Sequence, residues 1–255
     1  MTATPDQARD HGSLDHGSLD HGGWPRQLRL PGQADAPEGP VDMRMMYLMH
    51  HAFRRDLAAF ASAVPRTPLT ELDTWRALLR RWEVFAEVLH HHHHGEDTRL
   101  WPALMEKADP AEQETLAAME AEHEEIDPLL DSCRAGLRAL AAGHARADER
   151  AALAVRLCAA RESLGRHLAH EERDAMRILQ RHLTPEEHEA IHARFVEELA
   201  PRQALALVPW ALHDVPEEVR RTLRREGELA QRVVWRLGHR RFERLDRKAF
   251  RHSEC

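Results

Sequence analysis

The sequence predicts an all-α protein: four long helices followed by shorter, basic ones. Three observations carry this. Aromatic residues make up only 5% of the 255 residues while Ala, Leu, Arg and Glu abound, a composition that favours helices over sheets. Apolar residues recur at alternating steps of three and four through four long stretches, the stripe of a helix buried on one face. Proline, glycine and capping residues fall between those stretches.

Residues 1–40 come first, rich in Pro, Gly and Asp and carrying the tandem DHGSL DHGSL DHGG. They read as a disordered tail with no fixed geometry. The first helix spans about 42–64, with Met43, Met46, His50, Phe53, Leu57 and Phe60 on one face. Pro65 and Pro68 separate it from the second, about 71–105, which Thr70 is expected to cap. Leu78, Trp82, Phe85, Leu89, His92, Glu96 and Leu100 form its stripe. Asp109-Pro110 opens the third, about 110–142, with Pro at the first helical position, and Gly143 closes it. Its stripe includes Leu116, Met119, His123, Ile126, Leu130 and Cys133. The fourth covers about 148–182, with Leu153, Leu157, Leu164, His167, Glu171 and Ile178. Pro102 and Pro128 lie inside these patterns, and each is expected to kink or end its helix near one end of a site. Thr184-Pro185-Glu186-Glu187 caps a fifth helix at about 185–199. Val208-Pro209-Trp210 reads as a connecting loop, and 215–226 and 228–250 read as basic helices that pack as a flap on an acidic bundle. The division is therefore a tail at 1–40, a four-helix unit at 41–183 and a basic extension at 184–255.

A histidine and a glutamate four apart occur twice, as His92 with Glu96 and His167 with Glu171. Each pair follows an upstream histidine at a similar distance: 42 residues from His50 to His92, and 44 from His123 to His167. Positions four apart stack on one helix face, so each H-x-x-x-E aims an imidazole and a carboxylate at one point. All six residues lie on apolar stripes. A buried carboxylate is costly unless paired or bound to a metal, and neither glutamate has an evident buried basic partner in the sequence. Two helical hairpins carrying these groups can enclose two metal ions about 3.5–4 Å apart. Imidazole with carboxylate suits iron, with zinc or manganese behind it, and no thiolate set points to a structural zinc site.

Neighbouring histidines leave choices open. Only one or two of the run His90 to His94 can face inward; the stripe selects His92, with His93 the nearest substitute. His50 and His51 compete on the first helix. His50 precedes Phe53 by three and Leu57 by seven, as His123 precedes Ile126 and Leu130, and this parallel favours His50. His170 and Asp174 repeat the H-x-x-x-acid spacing off the stripe, which places them outside the ligand set or at the surface. Tyr47, the only tyrosine, is core, an outer hydrogen-bonding group or an extra ligand.

Net charge is −7, which weighs mildly against general nucleic-acid binding. The charge is uneven: residues 201–255 hold 13 Lys and Arg against 8 Asp and Glu, leaving 23 against 35 in the rest. Three cysteines without a C-x-x-C argue for a reducing cytoplasm, and Cys133 and Cys158 read as core fillers. No apolar run is long enough to span a bilayer, and no signal core opens the chain.

These residues resemble the bacterial HHE cation-binding family of hemerythrin-like proteins. Its pattern of H, H-x-x-x-E, H, H-x-x-x-E is carried here by His50, by His92 with Glu96, by His123 and by His167 with Glu171. The segments HHAFRRDL, HHHHGEDTRLWPAL and HLAHEERDAM agree with it as well. The resemblance covers roughly residues 42–182. It implies an up-down-up-down four-helix bundle with a non-haem di-iron centre, oxo- or hydroxo-bridged, held by four histidines and two bridging carboxylates. Compared with oxygen-carrying hemerythrins, Met119 stands where a further third-helix histidine would be. Glu171 is four after His167, with Glu172 at the fifth position where those proteins have an aspartate. One iron would then be more open unless Tyr47 or solvent fills the gap. The resemblance implies binding or sensing of dioxygen, nitric oxide or hydrogen peroxide. The alternative is a di-iron oxidoreductase with catalase- or peroxidase-like or dioxygen-dependent oxidase activity on a small substrate. Metal storage or a structural site would follow if the metal were zinc. No membrane or nucleic-acid partner is expected.

Overall fold

The computed structural model describes residues 23–144, 146–197, 201–226 and 229–254, and every regular element longer than one residue among them is a helix. The DHGSL repeat and Cys255 lie outside the described residues. In chain order the helices are α1 (Arg44–Arg66), α2 (Leu72–Gly95), α3 (Trp101–Met105), α4 (Pro110–Ala141), α5 (Ala147–His170), α6 (Met176–His182), α7 (Pro185–Glu197), α8 (Pro201–Ala211), α9 (Glu217–Glu226) and α10 (Leu229–Ala249). A single π-helical segment, Glu96–Leu100, joins α2 to α3, and another, Glu171–Ala175, joins α5 to α6. The long second and fourth helices of the sequence pattern are thus each two α-helices spliced through a wider turn.

Several helix ends follow local chemistry. Asp109 accepts from the backbone N–H groups of Ala111 (2.9 Å) and Glu112 (3.0 Å) while Glu112 accepts from Asp109 N, a reciprocal capping box ahead of Pro110. Gly143, at φ +78°, takes the left-handed turn after α4 that a side chain would resist. Thr184 and Glu187 form a second reciprocal cap at α7. The start of α2 differs from expectation. Glu71, not Thr70, is its N-cap residue, and Glu71 instead accepts from the Thr74 hydroxyl at 2.9 Å. Helix α4 runs unbroken through Pro128. That proline lies on the solvent face, where water can satisfy the carbonyl that loses its partner.

Around the bundle, α1 packs on α5, α5 on α4 and α4 on α2. Two apolar clusters fill it. One gathers Phe53, Phe60, Trp75, Trp82, Phe85, Leu89, Ile126, Leu157 and Leu164; the other gathers Met43, Tyr47, Leu100, Trp101, Leu116, Met119, Met176 and Leu179. Each such side chain stabilises the fold by roughly 1.5–3 kcal/mol when fully buried. On α1 the chain meets the second cluster, then His50, then the first. Through α2 and α3 it meets the first cluster, then His92 and Glu96, then the second. Helix α4 repeats the order of α1, and α5 with α6 that of α2 with α3. The polar residues form one layer between two apolar ones.

The seam between α1 and α2 is the most open side, and the C-terminal helices close it. α10 packs along α2 and on α8. Trp210 of α8 is fully buried, with its ring 5.2 Å from Phe53 and its indole N–H donating to Asp56 at 2.7 Å. Val208-Pro209-Trp210, expected as a loop, is therefore the last part of a helix that wedges into the seam. Residues 23–40 of the tail expected to be free pack, together with 41–43, as an extended strap with Leu30, Ala36 and Val41 buried. Gln180 holds Val41 through both backbone groups, at 2.9 and 2.8 Å. Of the two cysteines expected in the core, Cys133 is buried and Cys158 is exposed.

Candidate metal centre

The polar layer brings together all six residues singled out from the sequence. His50, Glu96 and Glu171 have no exposed surface, and His167, His123 and His92 are 2%, 3% and 7% exposed. Their ligating atoms fall into two groups, each within 4.8 Å: His50, His92 and Glu171 in one, and His93, His123 and His167 in the other. Glu171 Oε2 is 3.1 Å from His50 Nε2 and 3.8 Å from His167 Nε2, so it faces both groups. Glu96 does the same, with Oε1 3.1 Å from His92 Nε2 and Oε2 3.7 Å from His123 Nε2.

The fit to cations is testable from hydrogen bonding. Both oxygens of Glu96 and of Glu171, Nε2 of His50 and of His92, and both ring nitrogens of His93 are buried without a hydrogen-bond partner among the described residues. Unpaired buried polar atoms are rare and costly, and eight in one layer are a donor set awaiting a partner. His123 Nε2 and His167 Nε2 face each other at 3.1 Å. Three carboxylates outside the layer take the opposite ring nitrogens. Asp97 is 2.8 Å from Nδ1 of His123, Glu122 is 2.8 Å from Nδ1 of His167, and Glu172 is 3.0 Å from Nδ1 of His50. A hydrogen on each Nδ1 satisfies these contacts and turns the Nε2 atoms inward. This is how ligating histidines are usually oriented.

Electrostatics agrees. Burial drives His92 and His93 well below the ordinary histidine range, and His167 below it, so these rings are neutral. Burial and the neighbouring Glu171 charge push Glu96 well above the usual carboxylate range. Burial alone would lower His50, but the charge of Glu171 and contacts with Glu171 and Glu172 outweigh it and lift His50 to about 9. Burial would likewise raise Glu171, but the His50 charge overrides it and holds that carboxyl below its usual range. The two inward carboxylates are thus shifted in opposite directions, one by burial and a like charge, the other by an imidazolium.

Sequence reasoning treated His93 only as a substitute for His92; the structure turns both inward. His93 stacks on His123 with centroids 3.8 Å apart and 9° between the rings, and meets His167 edge-on at 5.4 Å. It stands in the group with His123 and His167, the helix-α4 side on which Met119 leaves a histidine missing. Glu172 is not part of either group. It accepts from Arg54 at 2.7 and 2.9 Å and from Ala34 N at 2.7 Å, which ties His50 to the N-terminal strap. His51 joins neither group. His170, 32% exposed on its side chain, shares Glu122 with His167 at 2.9 Å, and Asp174 is 3.8 Å beyond it. Tyr47 is buried, its hydroxyl has no partner among the described residues, and burial together with Glu172 raises its pKa.

The π segments begin at Glu96 and at Glu171. The wider turn shifts the following residues, and such bulges occur often at functional sites. Pro102 follows the first, but Arg177 holds the matching place after the second, so proline is not what the two have in common.

A family model described as the hemerythrin HHE cation binding domain matches residues 41–179. No curated protein and no solved structure matches the chain. No described helix is long and apolar enough to cross a membrane.

Proposed function

Because the chain belongs to the hemerythrin HHE cation-binding family, we propose that its buried layer holds two iron ions and that the loaded protein binds or senses dioxygen, nitric oxide or a related small oxidant. His50 and His92 would serve one ion, and His93, His123 and His167 the other, with Glu96 and Glu171 shared between them. The observation that carries this reading is the set of buried carboxylate and imidazole atoms without partners, facing one another in two groups. The order in which α1, α2 with α3, α4 and α5 with α6 meet the two apolar clusters supports an up-down-up-down bundle around that layer.

When bound, two irons supply redox electrons and a coordination position for a small ligand. The chain's own contributions are orientation and exclusion. Asp97, Glu122 and Glu172 fix three imidazoles from outside. Phe53, Leu89, Ile126 and Leu164 wall the layer on one side, and Leu100, Met119 and Met176 on the other. Apolar walls that close admit a diatomic gas more readily than a polar organic substrate, which favours binding over oxidation of a larger molecule.

Metal analysis with an absorption spectrum, before and after peroxide, tests this. Two irons per chain, with near-ultraviolet bands that change on ligand addition and no sustained gas evolution, are expected. Sustained gas evolution would move the reading to a peroxide-consuming enzyme, and stoichiometric zinc would overturn the redox role. The ligand set has its own test. His93→Ala should reduce iron from two per chain to about one, and His51→Ala should leave two. Two irons in His93→Ala would remove His93 from the centre.

A further inference from the structure

The α1–α2 seam over the metal layer is closed in two places by different means. Below the layer, Trp210 is wedged in and tied to the buried Asp56. At the level of the layer the residue that covers the α2 side is Phe195 of α7. Gly95 is buried, and a Cβ built on it would clash with the edge of the Phe195 ring, at Cε1. The ring therefore sits directly on the α2 backbone, one residue before Glu96 and three after His92. Any larger residue at 95 would displace it.

The position matters because of the helix's rotation. At 100° per residue, Gly95 lies about 60° from His92, away from His93 and toward His91, hence on the seam flank. His92 is also the most exposed of the seven layer histidines and glutamates, at 7% against 4% or less for the rest. His92 is thus the layer residue with most access to solvent, and Phe195 lies on the α2 backbone three residues beyond it. The fastening is slight. Phe195 O is 3.3 Å from His91 Nε2, and the rings of the two residues meet edge-on at 6.2 Å. One turn earlier Ile191 rests on the second apolar cluster, and Lys107 pairs with Glu187 at the far end of α7. Among the described residues α7 shares only sparse packing with the other helices. Elements with few buried apolar contacts open locally at low free energy.

We propose that the α1–α2 seam beside His92 is the entrance to the metal layer and that Phe195, seated on Gly95, is the door that limits the size of what enters. The inference rests on the di-metal reading for its ligand class, but the door itself does not.

Two readouts separate them. The first uses the protein before metal loading: exchange of the His92 ring C2 hydrogen with deuterated solvent, followed by mass spectrometry. Phe195→Ala should speed it about tenfold, and Ile191→Ala, which loosens α7 without removing the ring, should change it far less. The second uses azide, a linear triatomic anion, mixed with the loaded protein. Phe195→Ala should speed its binding about tenfold at unchanged metal content, and Phe195→Trp should slow it. Equal rates in wild type and Phe195→Ala, or an equal gain in Ile191→Ala, would overturn the door. If wild type takes up no iron yet His92 exchange still rises in Phe195→Ala, the door stands and the di-metal reading falls.

Discussion

Glu171→Gln protein is expected to purify with well under one metal per chain, against two in wild type, and to show no thermal stabilisation when iron is added. Glutamine keeps the shape of the side chain but removes the charge shared by both metal groups. The carboxylate lies 3.1 Å from His50 Nε2 and 3.8 Å from His167 Nε2, so neither group is spared. Metal bound only by the folded state stabilises by mass action, about 2.7 kcal/mol at a free concentration one hundred times the dissociation constant. For a chain of this size that corresponds to a melting point raised by roughly 5–10 °C. The variant should lose this increment, and its metal-free form should melt below metal-free wild type because buried His50 loses its Glu171 partner. Calorimetry with and without iron, paired with metal analysis, checks it. Two tightly held irons in Glu171→Gln would show that this carboxylate does not bridge the groups.

That a carboxylate at 171 could be singled out at all comes from helix periodicity. His167 and Glu171 share a face because four residues make just over one turn, and the Leu and Phe residues around them mark that face as buried. The same argument located His50, His92, Glu96 and His123. It left His93 as the nearest substitute, since the stripe centres on His92. The layer is wider than a stripe: it reaches from α1 on the His92 flank to α4 on the His93 flank, so neighbours 100° apart both face it. Met119, where a further histidine was missing, was the available hint.

Asp97, Glu122 and Glu172 were illegible for a related reason. Asp97 and Glu172 each follow a layer glutamate and Glu122 precedes His123, so each lies off the stripe and resembles any solvated acid in a chain this charged. Only the packing of α1, α2, α4 and α5 brings them to the Nδ1 atoms. The π segments have no local signature, because no residue type prefers the wider turn. The C-terminal wedge was hidden by Pro209, which reads as a helix breaker. Trp210 is held where it is by a carboxylate 154 residues earlier, a contact no local pattern encodes.

That carboxylate is the basis of the second large effect. Asp56 is 1% exposed and is paired with Arg81, which has no exposed surface, through bonds of 2.9 and 3.0 Å. It also accepts from Arg55 and from the Trp210 indole. Arg81 in turn donates to Asp246 of α10 at 3.1 Å and lies over the rings of Phe242 and Phe250. α1, α2, α8 and α10 therefore meet at one buried ionic group. Removing one member of such a group strands its partners in the interior, which typically costs about 3–5 kcal/mol. Asp56→Ala should be destabilised on that scale and should release the C-terminal helices first, seen as a red shift of tryptophan emission and early proteolysis beyond residue 211. Acid should do the same to wild type. Burial would raise Asp56, but the Arg81 and Arg55 charges overrule it and hold its carboxyl below the usual range; Asp246 is lowered as well, by His213 and Arg81 against its own burial. A carboxyl depressed in the folded state contributes stability above its unfolded value of about 3.9 and loses it as pH falls through the folded value. The C-terminal helices should thus stay docked from neutrality to about pH 4 and detach below it. In Asp56→Asn the Asp56 share of this acid dependence should vanish, leaving that of Asp246 and of Glu71 and Asp73, which pair with His252 and Lys248. An unchanged acid profile in that variant would show that Asp56 does not fasten the C-terminal helices and that other carboxylates set their acid release.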